Sequence, residues 1–202
     1  MGNSRYAIPL GRATVEDEIK RSRFITTLDR ADDPDSARAL IAEMREAYAD
    51  ARHHCYAFLV GPPGSTGTVG MSDDGEPHGT AGRPMLNVLV HSGLGDVVAV
   101  VTRYYGGTQL GRGGLLRAYS SGVQYALSEV GRVEKVELAT VSLRFNYTYV
   151  EQIKRLLPDH EAALVHEDYG AEVAFRIDLP TERVEELTRV VQNLTNGMAQ
   201  IG

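Results

Sequence analysis

The sequence predicts an α+β protein of two domains, and three observations carry that prediction. Residues 97–102, VVAVVT, are continuously apolar, the mark of a central strand buried on both faces. Strand-like runs on either side of it alternate with segments whose apolar residues recur at helical spacing. From Val141 onward the order β-α-β-β-α, with Met198 to Ile201 as a last strand, is ferredoxin-like. A boundary near Arg132 then gives domains of residues 1–132 and 133–202.

Taken in order, residues 12–30 hold Phe24, Ile25 and Leu28 between charged ends and read as two antiparallel strands turning near Arg21-Ser22. Asp33-Pro34 starts a helix, because Asp33 can cap free N–H groups and proline suits the first helical position. Ala37, Leu40, Ile41, Met44, Ala47 and Tyr48 form its apolar face. His53 to Val60 is a strand stopped by Gly61-Pro62-Pro63-Gly64, and Thr66 to Met71 pairs with it as a hairpin. The stretch SDDGEPHGTAGRP is a loop by composition, after which Pro84 opens a short helix. The central strand leads into a second loop, RYYGGTQLGRGG. A helix follows with Leu116, Tyr119, Val123, Leu127 and Val130 inward, ending at Gly131.

In the second domain Val141, Leu143, Phe145 and Tyr147 alternate as a strand. Val150, Ile153, Leu156 and Leu157 make a short helix ended by Pro158. Glu161 to Glu167 and Ala171 to Leu179 are strands about Tyr169-Gly170. Thr181 caps a helix with Val184, Leu187, Val191 and Leu194 inward.

Composition narrows the classes of function. At 43% hydrophobic and 24% charged the chain is ordinary for a globular protein, and no apolar run approaches the ~18–20 residues needed to span a bilayer. No membrane contact is expected. A single cysteine, Cys55, excludes an internal disulfide and a cysteine-based zinc cage. The start MGNSRYAIPL lacks the pattern of a secretion signal, and Tyr6 stands where myristoylation requires Ser or Thr. The expected location is the cytoplasm. The net charge of −6 is unevenly spread: from Glu134 onward there are seven Lys/Arg and twelve Asp/Glu, against fourteen and fifteen before it. Within residues 81–122 four arginines (Arg83, Arg103, Arg112, Arg117) face a single acid, Asp96. The glycine-rich stretch is locally basic.

Two loops concentrate the chemistry. Gly106, Gly107, Gly111, Gly113 and Gly114 lie between a strand and a helix start, where unpaired N–H groups and a partial positive charge hold a phosphate or carboxylate. Arg112 or Arg117 adds a charge-assisted fork. The alternative is that these glycines serve only tight turns and close packing. The loop lacks the Gly-Lys-Ser/Thr ending of a Walker A motif and the register of GxGxxG. The other loop gathers Asp73, Asp74, Glu76, His78 and Thr80, a set suited to divalent cations or acid–base work. The alternative there is loop-stiffening, with Glu76 pairing Arg83 or Arg103, and the spacing is not that of an EF-hand. Arg103-Tyr104-Tyr105 sets a guanidinium beside two phenol rings, a combination that stacks and neutralises single-stranded nucleic acid. On a strand His53 and Cys55 share a face and His54 takes the other, so a packed histidine beside a buried thiol is expected there.

Together Lys20-Arg21-Ser22-Arg23-Phe24, His53 to Ala57, SDDGEPHGTAGRP and VVTRYYGGTQLGRGGLLRAY resemble the IMPACT/YigZ family, over about Lys20 to Val130. The resemblance implies a first domain similar to domain IV of elongation factor G, a ribosomal-protein-like α/β fold. It implies a second, ferredoxin-like domain similar to domain V, as in the family's bacterial members. It implies a translation-linked regulator, and it brings no catalytic residue, metal or cofactor to carry over. Eukaryotic members act through protein–protein contacts in the amino-acid-starvation pathway and have a different N-terminal domain.

The expected function is therefore a non-enzymatic binding protein that engages the ribosome, RNA or a translation factor through Arg83, Arg103, Tyr104, Arg112, Arg117 and the glycine loop. Two alternatives stand beside it. One is a hydrolase or phosphate-ester-handling enzyme using Asp73, Asp74, Glu76, His78 and Thr80. The other is a protein-interaction module using the acidic second domain.

Overall fold

In the computed structural model, which describes residues 4–202, the chain opens with three strands: β1 (Arg5–Pro9), β2 (Ala13–Ile19) and β3 (Ser22–Arg30). Part of the stretch read for a leader or acylation signal, residues 1–3, lies outside the described residues. Between β2 and β3 only Lys20 and Arg21 turn the chain, both at positive φ (49° and 65°). That is the two-residue hairpin whose twist matches its strands. Helix α1 (Pro34–Ala47) starts at a reciprocal cap: the Asp33 carboxylate accepts from Ser36 N at 2.7 Å, and Asp33 N donates to Ser36 Oγ at 3.2 Å. Such a cap is worth about 1 kcal/mol.

The first unit continues with β4 (His53–Val60), β5 (Thr68–Ser72), α2 (Gly82–Val90), β6 (Val97–Tyr104), α3 (Arg112–Glu129) and β7 (Arg132–Val136). Five strands form an antiparallel sheet in the order β2-β3-β6-β4-β5, while β1 pairs with β7. The apolar run is the middle strand, as its composition requires. Val97, Ala99 and Val101 pack with α2 and α3 through Met85, Leu89, Tyr119 and Val123. Val98 and Val100 pack on the opposite face with α1 through Leu40, Ile41 and Met44. Each fully buried aliphatic side chain contributes roughly 1.5–3 kcal/mol of hydrophobic free energy.

Several boundaries differ from the sequence reading. Helix α2 starts at Gly82, so Pro84 sits in its first turn, where a missing N–H costs little. Arg103 and Tyr104 belong to β6, and Arg112 to Gly114 form the first turn of α3, which shortens the second loop to residues 105–111. Leu116 is 46% exposed and Leu115 takes the core position, because Gly113-Gly114 leave the helical phase unmarked at that end.

The chain divides into two compact units after Lys135. The second holds β8 (Leu138–Phe145), α4 (Val150–Leu156), β9 (Ala163–Tyr169), β10 (Val173–Pro180), α5 (Val184–Leu194) and β11 (Gln200–Ile201). Its sheet runs β11-β8-β10-β9, antiparallel throughout. Its core joins Leu143, Phe145 and Phe175 to Ile153 and Val191, with the two phenyl rings edge to face at 4.9 Å. Tyr147, expected to continue the strand, falls in a 3-10 turn because Asn146 Oδ1 accepts from Thr148 N. Thr181, expected as a cap, donates its hydroxyl to the Glu137 carbonyl and begins a 3-10 turn ahead of α5. Among the described residues no helix is long and apolar enough to cross a membrane.

Candidate functional site

The site lies at the end of the five-stranded sheet where β6 stops and β4 begins, since His53 pairs with Arg103. Arg103 shares the strand face of Val101 and Ala99, and so turns toward α3. Its Nη1 donates to Glu76 Oε1 at 2.6 Å, with both side chains buried. The same oxygen accepts the Tyr119 hydroxyl at 2.8 Å. Arg103 Nη2 donates to Ser22 Oγ at 3.2 Å, and that oxygen also accepts from Gly106 N at 3.2 Å. The guanidinium packs over the rings of Phe24 and Tyr105, 5.3 and 5.5 Å from their centroids. Arg103 Nε is the one buried side-chain N or O without a partner among the described residues. A buried pair costs desolvation that only good geometry offsets, so this network acts as a fixed post between β3, β6 and α3. Burial, reinforced by Cys55 and Glu76, pushes the Tyr119 phenol well above its ordinary range. Burial also pushes the Cys55 thiol up to about 12, and it donates to the Asp73 carbonyl at 3.0 Å. A thiol so placed is not a nucleophile at neutral pH.

The acidic loop is internally engaged. Asp73 accepts from the N–H groups of Gly79 (2.8 Å), Ala81 (3.0 Å) and Gly82 (2.9 Å). Burial works to raise its carboxyl, but these three donors outweigh it and hold the group below its ordinary value. Asp74 accepts from His54 N at 2.7 Å and from Arg45 at 2.9 Å, and its own carbonyl meets His53 Nδ1 at 2.8 Å. Glu76 faces Arg103, the second of the two partners that the sequence left open. The Thr80 hydroxyl donates to the Pro77 carbonyl at 2.6 Å. His78 is fully exposed, its ring 3.7 Å from Asp73.

The basic loop is differently built. Gly106 is required by sterics: a Cβ there would lie 1.9 Å from the Arg21 carbonyl oxygen, so the loop presses against the β2–β3 turn. Gly107 and Gly111 hold positive φ (83° and 72°). Gly111 precedes α3 with no side-chain cap, and Gly113 and Gly114 in the first turn leave the backbone N–H groups uncovered by bulky side chains. Arg112 is exposed and donates to the His78 carbonyl at 2.8 Å, joining the two loops through a neutral acceptor. Tyr104 donates to Asp50 at 2.7 Å and lies under Arg23, away from the network. Arg83 and Arg117 are exposed on α2 and α3.

Between these parts opens a cleft of about 470 Å³, lined by Arg52, His53, Glu76, Pro77, Arg103, Tyr105, Gln109, Leu110, Gly111, Arg112 and Leu115. Of the expected residues it gathers Glu76, Arg103, Gly111 and Arg112, and it leaves Arg83, Tyr104 and Arg117 outside. Arg52 carries no signal in the sequence: it precedes β4, and only the pairing of β4 with β6 brings it to this end of the sheet.

Residues 20–127 match the Impact N-terminal domain. The chain belongs to the IMPACT family. A second match, to a domain of unknown function (DUF1949), spans residues 143–198. Among IMPACT proteins, the Escherichia coli K12 family member YigZ is 41% identical over 196 residues, 97% of this chain and 96% of its own. The Haemophilus influenzae Rd family member is 37% identical over 194 residues, 96% of this chain and 94% of its own. A crystal structure titled as that of a hypothetical protein is 41% identical, covers 98% of this chain and 96% of its own, and superposes with a TM-score of 0.72.

Proposed function

We propose that this IMPACT chain is a non-enzymatic, translation-linked binding protein that contacts RNA, on the ribosome or with a translation factor, through the basic cleft of its first unit. One observation carries the reading. Arg52 and Arg112 stand exposed on the cleft beside the uncapped start of an 18-residue helix, and among the described residues neither forms an ion pair. Uncompensated guanidinium groups beside helix N–H groups are a ready anion site, and phosphate is the anion that RNA presents. Family membership supports a translation-related regulatory role broadly. In this reading residues 1–132 form the IMPACT-type domain, similar to domain IV of elongation factor G. Residues 133–202 form a ferredoxin-like domain similar to domain V, in keeping with the β11-β8-β10-β9 order. The cytoplasm is its place of action.

Ribosome co-sedimentation and RNA titration across salt concentrations test the proposal. Binding is expected to weaken with salt, and Arg52→Ala with Arg112→Ala is expected to reduce the logarithmic salt slope by about 1 for each phosphate no longer neutralised. No association at low salt with either ribosomes or RNA would overturn it.

A further inference from the structure

The cleft has more definition than a basic patch, and its chemistry names a ligand. We propose that it is a nucleotide pocket that accepts one unpaired nucleoside monophosphate unit. The phosphate lies between Arg52, Arg112 and the first N–H groups of α3, and the base stacks on Tyr105 above Leu110 and Leu115. The inference rests on the RNA-binding reading for the source of the nucleotide and narrows it to one site.

Four features of the structure lead there. The volume, about 470 Å³, lies within the roughly 300–1,000 Å³ typical of small-molecule sites. The lining combines the exposed cations Arg52 and Arg112 with the apolar side chains of Pro77, Leu110 and Leu115, the two kinds of contact that an amphipathic ligand with one charged end requires. Tyr105 is 47% exposed although it lines the cleft, and its ring is backed by the Arg103 guanidinium, which is itself fixed by Glu76 and Ser22. A ring held that way is a preformed stacking platform, and it serves only a base whose face is free, which excludes paired nucleic acid. Gln109 at the rim adds an amide able to donate to and accept from a base edge. The neighbouring hollow of about 540 Å³ shares Arg112 but includes the Asp73 carboxylate, which backbone N–H groups hold without a Lys or Arg counter-charge among the described residues. The Glu76 carboxylate in the cleft wall is instead neutralised by Arg103.

The full chain is titrated, by NMR, with free adenosine monophosphate and, by fluorescence anisotropy, with a labelled single-stranded oligonucleotide and the matching duplex. Free nucleotide is expected to shift the amides of residues 105–115, and the single strand to bind more tightly than the duplex. Arg52→Ala and Arg112→Ala should each weaken single-strand binding about tenfold. Tyr105→Ala should weaken it roughly tenfold or more, and Tyr105→Trp should retain it. Arg52→Ala should keep the wild-type thermal unfolding midpoint, and Arg112→Ala and Tyr105→Ala should lower theirs only slightly, since each side chain is exposed and gives up one contact, with the His78 carbonyl and with the Arg103 guanidinium. If strand or ribosome binding survives in Arg52→Ala and Tyr105→Ala but is abolished in Arg83→Ala with Arg117→Ala, the pocket is overturned and the RNA reading stands. If free nucleotide binds the cleft while no RNA or ribosome associates, the pocket stands and the RNA reading falls. No shift with nucleotide and no weakening on Tyr105→Ala would overturn the pocket outright.

Discussion

The two loops at the open end of the five-stranded sheet make the instructive comparison. Residues 73–80 carry three carboxylates, and all three are taken up internally: Asp73 by backbone donors, Asp74 by Arg45 and His54, Glu76 by Arg103 and Tyr119. Residues 105–111, with the first turn of α3, have the opposite character. Their glycines bring backbone close together, while Arg112 and the helix start keep donors turned to solvent. Titratable side chains are therefore a poor guide to which loop binds. The engaged loop is the scaffold, and under the proposed function the loop with uncapped donors is the surface offered to a ligand.

Breaking the scaffold should have the largest effect. Arg103→Ala leaves Glu76 buried without its counter-charge and is expected to cost about 3–5 kcal/mol, read as the unfolding free energy. The double variant Glu76→Leu with Arg103→Met should recover much of that, since it removes both charges. A double variant as unstable as the single one would show that Glu76 is not the cause. Gly106→Ala comes next. The added methyl meets the Arg21 carbonyl, and displacing the loop should cost about 2 kcal/mol. An unfolding curve matching wild type would contradict the close approach of the loop to the β2–β3 turn.

Acid should weaken the scaffold by a smaller amount. Burial holds His54 below its ordinary pKa of 6.5; Arg45 adds to this, while Asp74 works against it. The unfolded chain therefore takes up a proton before the folded one, and stability falls as pH drops from about 6.5 through the folded value. Asp73, also lowered, extends the decline below its ordinary 3.8. The unfolding midpoint should fall between about pH 7 and pH 5, and His54→Gln should flatten that part of the profile. A profile identical in the variant would remove His54 from the account.

What the sequence made legible was local. The hairpin expected near Arg21-Ser22, the capped start of α1 and the buried strand at Val97 each follow from a few neighbouring residues, and each is present, the hairpin turning one residue earlier at Lys20-Arg21. The site was only partly legible, because its geometry depends on strand pairing. Arg103 reads as a strand-end cation with Glu76 as one candidate partner, but its burial also needs Ser22 and Tyr119, which come from distant stretches and carry no local signal. Arg52 carries no motif at all and reaches the cleft only through the pairing of β4 with β6. Residues 109–115 show the same effect. Gly113-Gly114 read as loop, whereas packing of Leu115 into the core makes them the first turn of α3.

The smallest stability effect is the most discriminating for function. Arg117 is exposed on α3, outside the cleft, and makes no ion pair among the described residues. Arg117→Ala should thus change unfolding free energy by less than about 0.5 kcal/mol, the usual range for an exposed site without special contacts. Arg52→Ala should be equally silent in stability, because it too lacks an ion pair among the described residues. The two are expected to separate only in RNA titrations. If the cleft is the binding surface, Arg52→Ala lowers both affinity and salt slope, while Arg117→Ala leaves base-dependent binding intact. Equal reductions in the two variants would instead describe a diffuse basic face, one that reads phosphate charge along α3 and does not need Tyr105.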